Sequence, residues 1–234
     1  MQQYFAKNKA LELEDSDYHH IKNVMRMKKG DLIKVVYDNI CYDCKLTNVN
    51  DKSSFEVISK SISNEKTYNV TVAFSLIKEQ KLNYLLQKTT EVGVDLLIPL
   101  NTNRSVVKID KKKEISKIDR WNKILKEASE QSFRNDVPKL YNILELRELV
   151  DLDFDLKLLC SLNKNTKNIK KVLEKNNKCD KILIVVGPEG GFAPFEEEYL
   201  LKNGFISVSL GKNVLRAETA PVVALSIISY EFGR

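Results

Sequence analysis

The sequence predicts an α/β protein: a larger domain built on a parallel sheet, preceded by a small β-rich module. Three observations carry this. Residues 1 to about 66 hold short runs rich in β-branched and aromatic residues, set apart by polar turns. From Asn69 a strand, a helix and a strand follow within about thirty residues, the signature of a βαβ unit. Downstream, "LKLLC", "KILIVV" and "FISVSL" are short apolar runs of the kind buried on both faces of parallel sheets.

In the first module, "LIKVVY", "ICYDCKL" and "SFEVIS" are the strands, with "NVNDKSS" a turn. One helix interrupts them. Ser16 or Asp17 is its expected cap, "YHHIKNVMRM" its body, and Gly30-Asp31 its end. The polar stretch "SISNEKTY", residues 61–68, is the expected linker, giving domains at 1–66 and 67–234. Next come "NVTVAFSL" as a strand, "KEQKLNYLLQKTTEVG" as a helix stopped by Gly93, and "DLLIPL" as a strand. In "EISKIDRWNKILKEASEQS" the residues Ile115, Ile118, Trp121, Leu125 and Ala128 recur at helical spacing and predict one buried face. The lone Trp121 is therefore read as core, and the basic run "KIDKKKEISK" as a solvated helix start rather than an RNA contact.

Apolar residues make up 43% and charged residues 30% of 234, which excludes a disordered chain. No uninterrupted apolar run approaches the roughly 20 residues of a spanning helix, so no membrane partner is expected. "MQQYFAKNKALELED" has neither a long apolar core nor a small-residue cleavage site, and a cytoplasmic location is expected. Cys41 and Cys44 have CxxC spacing, but three residues apart on a strand they point to opposite faces, and no second pair or nearby His completes a zinc site; no metal is expected. The formal charge of +6 suits a polyanionic partner without requiring one.

Between Ile184 and Ile227 lie five of the eight glycines and three of the five prolines. "KILIVVGPEGGF" delivers a buried strand into a loop, and ligands in open parallel sheets bind at such strand ends. Neither a phosphate-loop nor a dinucleotide-loop pattern is present, and Glu189 beside the glycines disfavours phosphate unless a cation compensates. Gly190 and Gly191 permit positive φ and close approach. A plain strand-to-helix turn accounts for Pro194 and for Glu196, Glu197 and Glu198, but not for the full length of "GPEGG". "SLGKNVLRAETAPVVAL" repeats the arrangement: strand end, glycine, then Thr219 as cap of "APVVALSIISYEF". Arg216, Glu218 and Thr219 form a polar trio at its edge, where a helix cap with an exposed ion pair is the bland alternative.

"GPEGGF" with "SLGKNVLRAETA" resembles the knotted SPOUT-class RNA methyltransferases, specifically the ribosomal RNA small-subunit methyltransferase E family. "HHIKNVMRMKKGD", "LLQKTTEVGVDLLIPLNTNRSVVK" and "RWNKILKEASEQSFRNDVPKL" match that family's stretches in the same order, so the likeness spans roughly the whole chain. Lys212-Asn213 before "VLR", Ala217 after Arg216, and "CSLN" after the fourth strand depart from the commoner family form, and the last leaves any contact there open. The resemblance implies a PUA-like β-barrel at 1–66, a SPOUT domain with a deep trefoil knot at 67–234, S-adenosylmethionine in the knot, and a homodimer. It implies methylation of uridine N3 in 16S rRNA, free or in an assembled or partly assembled subunit. A knotted methyltransferase acting on another RNA position, and a non-catalytic rRNA-binding module, remain the alternatives.

On the matched positions, Gly187, Pro188, Glu189, Gly190, Gly191, Leu210, Gly211, Leu215 and Thr219 are the expected cofactor contacts, largely through backbone. Arg216 is expected to stabilise charge on the uracil oxygens and Glu218 to accept the N3 proton. Arg26, Lys28, Lys29, Arg104 and Arg134 are the expected RNA contacts, with Arg104 and Arg134 open to a role toward the dimer partner. Glu130 and Gln131 are expected to order their region, and His19 and His20, about 100° apart on a helix, to pack or touch RNA rather than clamp a metal.

Overall fold

A computed structural model describes residues 1–62, 67–163 and 165–233. The chain divides into two compact units, residues 1–65 with 126–137, and residues 66–125 with 138–234.

The first unit is a four-stranded sheet in the order β1 (Gln2–Phe5), β2 (Leu32–Tyr37), β3 (Ile40–Asn48), β4 (Ser54–Ile62). β1 runs parallel to β2, and the other pairs are antiparallel. Asp38 and Asn39 join β2 to β3 with φ of 50° and 60°, the two positive values that a tight hairpin turn of matching twist demands. Tyr4, Leu13, Tyr18, Ile21, Ile33, Val35, Cys44 and Leu46 form the core. Cys44 pairs with Ile33 and Cys41 with Val36, adjacent positions of alternating direction, so the two thiols face opposite sides of the sheet.

The helix in this unit departs from the sequence reading. It begins two residues earlier than even the Ser16 cap allows, with Glu14 at the N-cap and α1 over Asp15–His19; Asp17 lies inside it and its carboxylate accepts from the Glu14 amide at 3.3 Å. A π-helical turn, His20–Val24, follows, and the helix ends at Met25, because Arg26 turns to φ 51° well before Gly30. The expected linker is also shorter than 61–68. Residues 61–62 belong to β4 and Tyr68 is buried, while 63–66 lie outside the described residues.

The second unit holds β5 (Asn69–Ser75), α2 (Glu79–Val92), β6 (Leu96–Asn101), α3 (Lys111–Gln131), β7 (Lys139–Leu140), β8 (Leu144–Glu145), α4 (Leu146–Val150) and β9 (Leu156–Cys160). β10 (Lys167–Asn168), α5 (Ile169–Lys175), β11 (Lys181–Val186), α6 (Pro194–Lys202), β12 (Ile206–Ser209) and α7 (Ala220–Phe232) complete it. The last turns of α3, from Lys126, belong to the first unit. The sheet order is β10-β12-β9-β11-β5-β6-β7, with β8 also on β6, and every pairing is parallel. β5 and β11 are buried from their second residue onward, as central parallel strands should be. Gly93 stops α2 at φ 98°, where its amide reaches back to the carbonyls of Thr89 and Thr90. Trp121 and Leu125 of α3 are buried, but Ile115 is 75% exposed: the expected apolar stripe covers only the later turns.

Candidate active site

Because the strands are parallel, β9, β11 and β12 all deliver their carboxyl ends to one edge of the sheet. The loops that leave them wall a cavity of about 710 Å³, inside the range of roughly 300–1,000 Å³ that small-molecule sites occupy. Its walls are Cys160–Asn163 after β9, Val186–Phe192 after β11, and Val208–Gly211 with Asn213–Ala217 after β12. Lys81, Arg104, Glu197 and Ala220 complete it.

The loop after β11 is a tight construction. The Gly191 amide donates to the Pro188 carbonyl at 2.8 Å, and Gly191 sits at φ 66°. A Cβ on Gly187 would meet Phe192 Cδ2 and the Phe192 nitrogen, each at 3.1 Å, so the glycine is required by a close crossing. Gly190, against expectation, is not at positive φ, and its nearest neighbour is Arg104 Cδ at 3.8 Å. The carboxylate of Glu189 finds its compensating cation in Lys81, at 2.8 Å; that hydrogen bond holds its pKa below the ordinary glutamate value. Arg104 Nη1 donates to the Gly190 carbonyl at 2.9 Å. Glu196, 5% exposed, accepts from the Ala193 amide at 2.8 Å on one oxygen and from the Asn103 amide at 2.7 Å on the other. Three links thus tie the loop after β11 and the start of α6 to α2 and to the loop after β6.

On the opposite wall the Cys160 thiol is pushed up to about 12 by burial and stays protonated at neutral pH. Ser161 Oγ hydrogen-bonds Glu197 Oε1. Gly211, at φ 144°, turns the chain out of β12. Thr219 stands at the N-cap of α7 but makes no side-chain capping bond; its amide and that of Ala220 donate to the Arg216 carbonyl at 2.9 and 3.0 Å. The Arg216 side chain is 82% exposed, while that of Glu218 is 9% exposed and 3.9 Å away. Glu218 Oε2 is buried without a hydrogen-bond partner.

Gly187, Pro188, Glu189, Gly190, Gly191, Leu210, Gly211, Leu215 and Arg216 therefore share one cavity; Glu218 and Thr219, between its lining residues Ala217 and Ala220 in sequence, do not line it. Arg104, expected to meet RNA, stands in the cavity wall. Arg26, Lys28 and Lys29 are exposed in the first unit. Arg134, also of the first unit, grips Asp136 through Nε at 3.3 Å and Nη2 at 2.6 Å, with a side chain only 11% exposed. Sequence reasoning missed Lys81, Glu197 and Val214. Residues just past β9 and β12 were accessible from the strand-end rule, but Lys81, 108 residues before its partner, carried no local signal.

A cavity of this size, walled by the glycine-bearing loops after β11 and β12, fits a cofactor of nucleoside dimensions. Among the described residues no group of three or more His, Cys, Asp or Glu is placed to hold a metal, and no helix is long and apolar enough to cross a membrane.

Comparison with known proteins agrees. Residues 64–229 match the model of an RNA methyltransferase domain and residues 13–58 that of an RNA methyltransferase PUA domain. The chain is 38% identical to the ribosomal RNA small subunit methyltransferase E of Bacillus subtilis, covering 99% of this chain and 97% of that protein. It is 33% identical to its namesake from Mesomycoplasma hyopneumoniae, covering 89% and 88%. Among solved structures, a ribosomal RNA small subunit methyltransferase E from Neisseria gonorrhoeae bound to S-adenosyl methionine superposes with a TM-score of 0.88 at 27% identity, over 98% of this chain and 97% of that one. A putative methyltransferase from Legionella pneumophila, in complex with the same cofactor, gives 0.89 at 29%, over 98% and 97%.

Proposed function

The chain belongs to the ribosomal RNA small subunit methyltransferase E family, and from that premise we propose that it carries a methyl group from S-adenosylmethionine to N3 of a uridine in 16S rRNA. The cavity at the ends of β9, β11 and β12 is the observation that carries this reading. Gly187, Gly190, Gly191 and Gly211 line it, leaving backbone rather than side chain at those points of its wall.

S-adenosylmethionine supplies an electrophilic methyl already activated on a sulfonium, so no metal is needed. What the chain must add is orientation and the removal of the N3 proton. Arg216, exposed at the cavity rim, presents a planar fork to the uracil carbonyl oxygens and stabilises the charge that deprotonation spreads onto them. Glu218 holds a carboxylate oxygen with no other partner and accepts that proton, directly or through water. Gly187, Pro188, Glu189, Gly190, Gly191, Leu210, Gly211, Leu215 and Thr219 hold the donor. Lys81 keeps Glu189 ionised beside a cationic ligand.

The same reading takes residues 1–66 as a PUA-like barrel that presents Arg26, Lys28 and Lys29 to rRNA, and 67–234 as a SPOUT domain whose exits after β11 and β12, on either side of β9, belong to a trefoil knot. Arg104 and Arg134 act on loop order and on the partner or RNA. The protein works as a cytoplasmic homodimer on rRNA within a subunit; Val214 at the cavity and Tyr230 on α7, 75% and 69% exposed, are apolar groups that such a dimer would cover.

The test has two arms. S-adenosylhomocysteine at about a hundred times its Kd should stabilise the protein by about 2.7 kcal/mol, and no thermal shift would remove the cofactor site. Mass-spectrometric mapping of 16S rRNA from cells lacking the gene should reveal one unmethylated uridine that complementation restores. A methyl missing from another base would overturn the uridine assignment.

A further inference from the structure

Positive charge is concentrated beside the cavity. From Lys167 to Lys178 the chain carries five lysines against a single acidic residue, Glu174, in a protein whose whole formal charge is +6. α5 explains where they point. Its buried residues Ile169, Val172 and Leu173 fix one face against the domain, and Lys170, Lys171 and Lys175 are left exposed, as are Lys167 before it and Lys178 after it. Glu174 neutralises little: its carboxylate is 3.9 Å from Lys170 Nζ with both side chains more than half exposed, at 65% and 54%. Lys167, Lys171, Lys175 and Lys178 have no ion-pair partner among the described residues.

The location gives this ridge a meaning. β10 runs parallel to β12 with Lys167 opposite Val208 and Asn168 opposite Ser209, and both of those partners line the cavity. Ser161, Leu162 and Asn163, a few residues upstream of β10, form another part of the same wall. Five like charges on a short segment repel one another, and an anion laid along them relieves that repulsion. A nucleobase entering the cavity brings its own strand of phosphates past the rim.

We propose that Lys167, Lys170, Lys171, Lys175 and Lys178 form a phosphate-tracking ridge that grips the RNA strand flanking the target nucleotide. The ridge positions RNA and carries no base specificity, since lysines on phosphates read charge rather than sequence. It rests on the reading of the cavity as the donor site of an RNA methyltransferase.

The test is a triple variant, K170Q/K171Q/K175Q, whose exposed side chains leave the core untouched. Methylation of small ribosomal subunits from cells lacking the gene is followed across salt concentrations, with calorimetric titration of S-adenosylhomocysteine alongside. The variant should raise KM for subunits on the order of tenfold and flatten the log–log salt dependence by about two to three, near 0.7–0.9 for each phosphate no longer neutralised. The Kd for S-adenosylhomocysteine should stay within about twofold. An unchanged KM and slope, with wild type active, overturns the ridge. An equal loss from K111Q/K112Q/K113Q, which removes the same charge at the start of α3, assigns the effect to net charge and overturns it too. Wild-type protein that binds S-adenosylhomocysteine but methylates no subunit overturns the functional reading, and the ridge with it.

Discussion

Arg216 and Glu218 stand two residues apart, yet one is 82% exposed and the other 9%, and the proposed division of labour rests on that contrast. In that proposal the exposed guanidinium reaches an incoming base, and the buried carboxylate, with one oxygen unspent, takes the proton. Arg216→Ala should lower the single-turnover methylation rate on the order of 100-fold, a loss of about 2.7 kcal/mol of transition-state stabilisation, while the Kd for S-adenosylhomocysteine stays within a few-fold. Equal losses in rate and in cofactor affinity would move Arg216 from the chemistry to the donor site. The glycines make a second prediction. Gly187→Ala drives a methyl to 3.1 Å from Phe192 and should cost about 1–3 kcal/mol of stability, with weakened S-adenosylhomocysteine binding. Gly190→Ala meets nothing nearer than 3.8 Å and should melt within about 0.5 kcal/mol of wild type. The sequence marked Gly190, not Gly187, for close approach; the reversal lies in where Phe192 folds back, which no spacing reveals.

At the scale of elements, the cavity depends on loops that come from different strands and hold one another. Glu196 is the best case. Pro194 and the acidic run were legible as a helix start, because first-turn glutamates suit the positive end of a helix. That Glu196 also takes the Asn103 amide, 93 residues away, follows only from β6 and β11 both flanking β5. The same limit explains the other discrepancies. The longer apolar strands and the Gly93 stop were readable from local pattern, whereas β1 and the two-residue β7, β8 and β10 were not, and the early end of the first helix turns on Arg26 adopting φ 51°, which β-turn and helix propensities do not foresee. Glu196→Gln keeps the shape and loses one acceptor, leaving a buried amide of Ala193 or Asn103 unmatched. It should destabilise the protein by about 1–3 kcal/mol and loosen S-adenosylhomocysteine binding by more than the rate of methyl transfer at saturation. Circular dichroism melts and calorimetric titration of the same preparation check both halves; an unaltered Kd would confine Glu196 to helix capping.

For the molecule as a whole, the telling feature is that α3 is shared: Lys111–Leu125 belongs to the larger unit, and Lys126–Gln131 to the smaller. Within the smaller unit, Lys126 Nζ lies 2.9 Å from both oxygens of Asp17, which is 6% exposed, and 3.2 Å from Glu130. Glu130 in turn accepts from the Phe5 amide at 3.4 Å, and Gln3 donates to the Arg134 carbonyl, so β1 and the end of α3 are organised by one buried polar network. The expectation that Glu130 orders its surroundings was sound in kind, but the long-range pairings of this network, 109 to 131 residues apart, were invisible in the sequence. Burial works against the charge on Lys126, yet Asp17 and Glu130 outweigh it and hold its pKa above 10.5. A raised lysine pKa means the folded state binds that proton more tightly, so the stability it confers is complete below the unfolded value and is lost as pH rises through the folded one. Burial raises the Glu130 carboxyl as well, but a carboxyl titrates in the acid range; in the alkaline window Lys126 is joined by the Tyr4 phenol, which burial, with Asp17 and Glu130 nearby, holds well above its ordinary value. The wild-type melting temperature should therefore fall as pH rises above about 10 beyond what exposed lysines produce. Lys126→Met strands Asp17 as a buried charge and should cost about 3 kcal/mol at neutral pH, while flattening the alkaline fall. A variant as stable as wild type at pH 7, with the same alkaline slope, would show that the network contributes nothing to holding β1 and the end of α3 together.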